Sequence, residues 1–218
     1  MNAVHTVPIG VLASGNGTNL QAILDAIDAH RLDAAVRVVV SDAPGAFALE
    51  RAQRHHIPAR ALERKAFATK KDFEEQIVQA LHHYGVELVC LAGYMRIVGT
   101  TLLGAFPRRI LNIHPALLPA FPGLDAQRQA IEYGAKFSGC TVHVVDEETD
   151  HGPIVCQVAV AVAEDDTAET LAQRILKEEH RLYPAAIQLY AEGRLRIEGR
   201  RVRIAPPGIN PVTWGNER

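Results

Sequence analysis

"VELVCLAGY", residues 86–94, decides the fold. It is apolar almost throughout, too short for a buried helix, and bounded by Gly85 before it and by Gly93 near its end. A strand with one wet face would alternate apolar and polar residues. This one does not, which is the pattern of a central strand in a parallel sheet covered on both faces.

Working outward, "KKDFEEQIVQALHHYG" (70–85) reads as a helix that stops at Gly85. "VPIGVLASG" (7–15) reads as a first strand, with Pro8 near its start because proline cannot donate to the ladder. Leu20, Ile23, Leu24 and Ile27 fall at helical spacing after it, with Thr18 or Asn19 as the expected N-cap. "AAVRVVVSD" (34–42) is a second strand, "AFALERAQRHH" (46–56) a helix and "IPARAL" (57–62) a short strand. Downstream, a short helical stretch leads into the strand "RRILNIHP" (108–115). Strands alternating with helices in this way predict an α/β fold with an open, mainly parallel, Rossmann-like sheet.

The second half changes character. "HPALLPAFPG" (114–123) holds three prolines after its histidine and reads as a loop, followed by the helix "DAQRQAIEYG" (125–134). "FSGCTVHVVD" (137–146) and "PIVCQVAVAV" (153–162) are strands around the acidic connection "EETDHG". A long helix spans roughly 167–191, "RLRIEGRRVRI" (194–204) is a hairpin turning at its Glu-Gly, and the tail from 205 is expected to be irregular. No linker divides the chain, so the expectation is one domain over 1–218 in two lobes, about 1–100 and 101–205.

Composition narrows the classes. The chain has 218 residues, is 48% hydrophobic and 22% charged, and carries a net charge of −2, which argues against a nucleic-acid partner. Cys90, Cys140 and Cys156 form no metal-type pair and read as small core residues in a reducing cytoplasm. The start of the chain lacks the pattern of a signal peptide, and no apolar stretch is long enough to span a membrane.

Two places carry chemistry. "SGNGTN" (14–19) lies between a strand and a helix, where backbone N–H groups and a helix N-terminus can meet an anion. Leu20 stands where the dinucleotide fingerprint needs a third glycine, and no P-loop Gly-Lys-Ser/Thr follows. A single phosphate monoester and a ligand-free tight turn fit it equally. The other is "LNIHP" (111–115): Asn112 and His114, two apart on a strand, share one face at its carboxyl end. An amide and an imidazole there can donate to an oxyanion, and the imidazole can move a proton near neutral pH. A structural histidine fits the same position. An imidazole in catalysis needs an orienting group. Asp146, Glu147, Glu148 and Asp150 in "DEETDHG" are the candidates, and the residues alone do not choose among them.

"GNGTNLQAI", "LAGYMRIV", "LNIHPALLPAFPG", "VDEETDHGPI" and "EEHRLYP" occur in this order. Together they resemble the glycinamide ribonucleotide transformylase family in its small bacterial single-domain form, over roughly residues 7–200. The resemblance implies a formyltransferase fold and transfer of a formyl group from 10-formyltetrahydrofolate to the amine of 5-phosphoribosylglycinamide, a step of purine synthesis. It implies small-molecule substrates, no metal, a cytoplasmic location, and a monomer or homodimer. It matches Asn112, His114 and Asp150 to the family's catalytic trio, Asp150 keeping His114 protonated and oriented. Gly17, Thr18 and Asn19 match the phosphate site, and Glu179 the residue on the ribose hydroxyls. Met95, Arg96, Ile97 and Val98 match the segment that holds the pterin, Asp146, Glu147, Glu148 and Thr149 the opposite wall. Lys70 stands near the folate's glutamate tail, with Arg64, Lys65 and Lys71 beside it. The chain departs from the family at "LDAQ" (124–127), where Asp125 replaces a common histidine.

Formyltetrahydrofolate deformylase shares much of the 114–123 loop. It carries an added amino-terminal regulatory domain and tends to have a second histidine where Pro115 stands. Methionyl-tRNA formyltransferase needs an additional tRNA-binding domain, which about 14 tail residues cannot supply.

Overall fold

The structure, a computed structural model, describes residues 6–207. β1 (Val7–Leu12) leads through a turn to α1 (Thr18–Asp28), followed by β2 (Ala34–Ser41), α2 (Phe47–Arg54) and the short β3 (Ala59–Ala61). A single 3-10 turn, Arg64–Ala66, precedes α3 (Lys70–His83) and β4 (Leu88–Leu91). Next come α4 (Thr100–Ala105), β5 (Ile110–His114), α5 (Ala126–Tyr133), β6 (Phe137–Val144) and β7 (Ile154–Ala161). α6 (Ala168–Ala191) and the hairpin of β8 (Leu195–Glu198) and β9 (Arg201–Ile204) complete the described chain. The hairpin turns at Gly199 and Arg200, one residue later than its Glu-Gly suggested, with Gly199 in the left-handed region at φ 59°. Residues 205–207 form no helix or strand, and the rest of the tail lies outside the described residues.

The strands form one sheet in the order β3-β2-β1-β4-β5-β6-β7-β9-β8. β3 to β5 pair parallel throughout, whereas β6 runs antiparallel to both β5 and β7. β9 joins β7 through the parallel pair Ile154–Arg201. β4 sits as its sequence demands. Leu88 and Cys90 pack into the core layer that includes α1, α2 and α6, and Val89 and Leu91 into the layer under α3 and α4. Cys140 is buried and Cys156 half-buried, and desolvation pushes all three thiols up to about 12. No helix among the described residues is long and apolar enough to cross a membrane.

Chain order reverses direction between β1 and β4, so their carboxyl ends frame the crevice where open α/β sheets bind ligands. Two local devices shape that crevice. α1 begins at Thr18 with Gly17 as N-cap, so neither Thr18 nor Asn19 caps it. Gly17 has φ 70°, and a Cβ there would lie 2.7 Å from the Ala48 Cβ, so only glycine lets the turn close against α2. On the other side, the buried Tyr183 hydroxyl of α6 contacts the carbonyls of Leu91 (3.0 Å) and Leu111 (2.9 Å). This ties α6 to the carboxyl end of β4 and to the residue before Asn112.

Candidate active site

β5 delivers Asn112 and His114 to the crevice on one face, as their spacing requires. The β5–β6 register places His143 directly opposite Asn112, so its imidazole joins the same face. Asp150 comes from the connection between β6 and β7, held in the left-handed region at φ 53°. Its carboxylate sits among the other three. Oδ2 lies 3.3 Å from His114 Nδ1 and accepts the Gly123 N–H at 2.8 Å. Oδ1 lies 3.4 Å from Asn112 Nδ2 and 3.6 Å from His143 Nε2. Asn112 Nδ2 is 3.1 Å from His143 Nε2, and His114 Nε2 is 2.8 Å from the Phe121 carbonyl.

His114 is only 4% exposed, and this decides its charge balance. Burial pushes the imidazole below the ordinary histidine value. The Asp150 carboxylate and the Phe121 carbonyl pull it back without overcoming burial, and His143 adds to the lowering. Asp150 thus acts in the expected direction, but the net shift is downward, because desolvation of the cation outweighs one partly buried carboxylate. Burial alone would raise the Asp150 carboxyl. His143, the Gly123 N–H and the His114 imidazole together hold it below the usual range.

The walls are tied down. Thr141 Oγ1 donates to the Ala116 carbonyl (2.7 Å) and accepts the Leu118 N–H (3.1 Å). Gln129 Nε2 lies within hydrogen-bond distance of the carbonyls of Pro122 and Leu124, which holds the segment next to His114 against α5. Asp125 caps α5 from φ 55° without a side-chain hydrogen bond.

A second cluster forms at the amino end of α1. The first backbone N–H groups of a helix have no partner within it. Asn19 Nδ2 donates to Glu179 Oε2 at 2.7 Å, joining α1 to α6 across 160 residues of sequence. Burial raises the Glu179 carboxyl, and the Asn19 amide pulls it partly back. Asn19 Oδ1 is buried with no hydrogen-bond partner among the described residues.

The 95–98 segment is divided. The side chains of Met95 and Ile97 are open to solvent, and the Met95 N–H donates to Ser14 Oγ at 2.9 Å. Val98 is buried. Arg96 pairs with Asp42 at 2.5 Å and lies over the Phe73 ring. Lys70, Ile97, Val98 and Glu147 line one cavity of about 400 Å³. Asp146 accepts the Glu148 N–H and lies 3.2 Å from His151 Nδ1, so it braces its own loop, while Glu148 and Thr149 are exposed. No group of three or more His, Cys, Asp or Glu among the described residues could hold a metal ion.

The model of the family described as formyl transferase matches residues 8–187. The chain belongs to that family. This formyl transferase is 49% identical over 178 residues to phosphoribosylglycinamide formyltransferase of Bacillus subtilis, covering 82% of the chain and 91% of the relative. The Escherichia coli enzyme of the same name is 40% identical over 189 residues, covering 87% and 89%. The crystal structure of glycinamide ribonucleotide transformylase 1 from Symbiobacterium toebii superposes with a TM-score of 0.92 at 57% identity, covering 94% of this chain and 96% of that one.

In this formyl transferase the fold brings Asn112, His114 and Asp150 within reach of one another, and separately joins Asn19 to Glu179. The Arg96 guanidinium is paired with Asp42. His143 was not singled out from the sequence. Its signal was a histidine inside the otherwise apolar "TVHVV" of β6, and only the pairing register shows which neighbour it faces.

Proposed function

We propose that the enzyme transfers the formyl group of 10-formyltetrahydrofolate to the amine of 5-phosphoribosylglycinamide, acting in the cytoplasm as a single domain on small-molecule substrates. The Asn112–His114–Asp150 cluster at the carboxyl end of β5 carries this reading. The amine lone pair attacks the formyl carbon, and the carbonyl electrons move onto oxygen. The Asn112 amide and the His114 Nε2–H donate to that oxyanion, the latter exchanging the Phe121 carbonyl for the substrate oxygen. The intermediate collapses by expelling folate N10, which takes up the proton lost by the amine. No protein nucleophile is needed. Asp150 orients His114 and favours its protonated form against the pull of burial.

The ribonucleotide phosphate docks on the N–H groups at Gly17, Thr18 and Asn19, where the helix dipole favours an anion. Glu179 and the unpaired Asn19 Oδ1 are acceptors for the ribose hydroxyls. Glu179→Ala should therefore raise the ribonucleotide dissociation constant about 10–100-fold, the size of one charge-assisted hydrogen bond. Calorimetry reads this, with the melting temperature as control because Glu179 is buried; unchanged affinity in a folded variant contradicts the assignment.

The folate lies along Met95–Val98 with its glutamate tail toward Lys70. The Lys70 side chain is 50% exposed and 3.8 Å from Glu74, so its part is small. Lys70→Ala should cost about 0.2–1 kcal/mol of folate binding, fading as salt rises. A large, salt-independent loss in a titration at two ionic strengths would assign Lys70 another role.

The function is tested by offering the enzyme and 10-formyltetrahydrofolate three acceptors: the ribonucleotide, water and charged tRNA. Transfer to the ribonucleotide is expected to dominate. Formate release at the same rate without ribonucleotide would make the enzyme a deformylase.

A further inference from the structure

The turn read as the phosphate site is tied down by one side chain. Arg51 of α2 donates from Nε to the Asn16 carbonyl at 2.8 Å and from Nη2 to Asn16 Oδ1 at 3.2 Å. Its Nη1 donates to Gln21 Oε1 on α1 at 2.9 Å. One guanidinium thus grips the chain on both sides of Gly17, Thr18 and Asn19. The neighbouring turn of α2 completes the grip. The Ala48 N–H donates to the Gly15 carbonyl at 3.1 Å, Ala48 packs against Gly17, and the Phe47 ring lies 4.8 Å beneath the guanidinium carbon. Beside Thr18 a cavity of about 580 Å³ is lined by Arg31, Arg51, His180 and Arg181, with Asp25 as the one acid.

We propose that Arg51 is the positioning residue of the phosphate site: it fixes the backbone N–H groups of Gly17, Thr18 and Asn19 so that they converge, and places a permanent positive charge behind them. This rests on the reading of the turn as the ribonucleotide's phosphate site. The task suits arginine. Its planar fork meets three acceptors in fixed directions, whereas a lysine ammonium supplies the charge without the fork. The bonds are partly exposed, so the effect is moderate and salt-sensitive.

The test compares Arg51→Gln and Arg51→Lys with the unaltered enzyme by steady-state kinetics and by calorimetry with the ribonucleotide and with inorganic phosphate. Arg51→Gln should raise the ribonucleotide KM about 10–30-fold, with kcat and the folate KM within about twofold and the melting temperature nearly unchanged. Arg51→Lys should recover only part of that loss, because charge alone does not hold the turn. Full recovery by lysine overturns the positioning role, as does an unchanged ribonucleotide KM in Arg51→Gln. A loss shared equally by ribonucleotide and folate also overturns it, since that marks a general structural part. If the unaltered enzyme binds neither ribonucleotide nor phosphate, the reading of the turn fails and this inference with it. An active unaltered enzyme with indifferent variants removes this inference alone.

Discussion

Asp150→Asn is expected to lower turnover by at least about 10²–10³-fold, the size of losing one preorganised oxyanion donor. The substitution keeps the side chain's shape and one acceptor oxygen but removes the charge that faces His114 at 3.3 Å and His143 at 3.6 Å. Burial already pushes the His114 imidazole down, and Asp150 is the first influence opposing it. Without that charge the imidazole falls further below about 6.5 instead of returning to it. The sign of the pH effect follows. If the cation is the active donor, activity is present below the bound-state pKa of His114 and lost as pH rises through it. The descending limb in Asp150→Asn should therefore shift to lower pH. Substrate KM values should change much less than kcat, because the interaction gains most in the transition state. A pH–rate profile with NMR titration of His114 in both proteins reads all of this. Identical titration in both would make Asp150 a loop residue without electrostatic influence on the imidazole.

Gly152→Ala should be the most damaging small change near the site. A Cβ on Gly152 would lie 1.7 Å from the Val144 carbonyl oxygen and 2.9 Å from its carbon. These are backbone atoms at the end of β6, whose Val144 N–H bonds the Pro153 carbonyl at 2.9 Å, so no flexible side chain can yield. The connection must move, and it carries Asp150 two residues away. Overpacking against side chains typically costs about 1–3 kcal/mol, and a clash with fixed backbone belongs at or above the top of that range. The expected result is a lower denaturation midpoint together with a loss of turnover comparable to that of Asp150→Asn. Near-native stability and activity would show that the 146–153 connection is not held as described.

The parts legible in the sequence were those fixed by local periodicity. The unbroken apolar run of β4 announced a strand covered on both faces, and it is. Asn112 and His114 were legible because period two makes them neighbours whatever the sheet does. Asp150 was not separable from three other acids by residues alone; resemblance to the family singled it out. Its place depends on a left-handed backbone and on the Gly123 N–H from a different loop. His143 depends on the register of β6 against β5, which neither segment contains. Arg51 belongs to no motif of its own, and its contact with Asn16 lies 35 residues away in the chain. The N-cap of α1 was misread because Thr18 and Asn19 are good capping types, while the tight approach of Ala48 requires glycine one residue earlier.

The most direct test is to follow a ¹³C-labelled formyl carbon by NMR. Enzyme, labelled 10-formyltetrahydrofolate and 5-phosphoribosylglycinamide are mixed, using the unaltered protein and the His114→Ala and Asn112→Ala variants. Direct transfer through these residues predicts that the unaltered enzyme moves the label into the formamide of the ribonucleotide, with no labelled formate, and that each variant slows this by about 10²-fold or more. Label appearing as formate, or reaching the ribonucleotide equally fast in both variants, would contradict it.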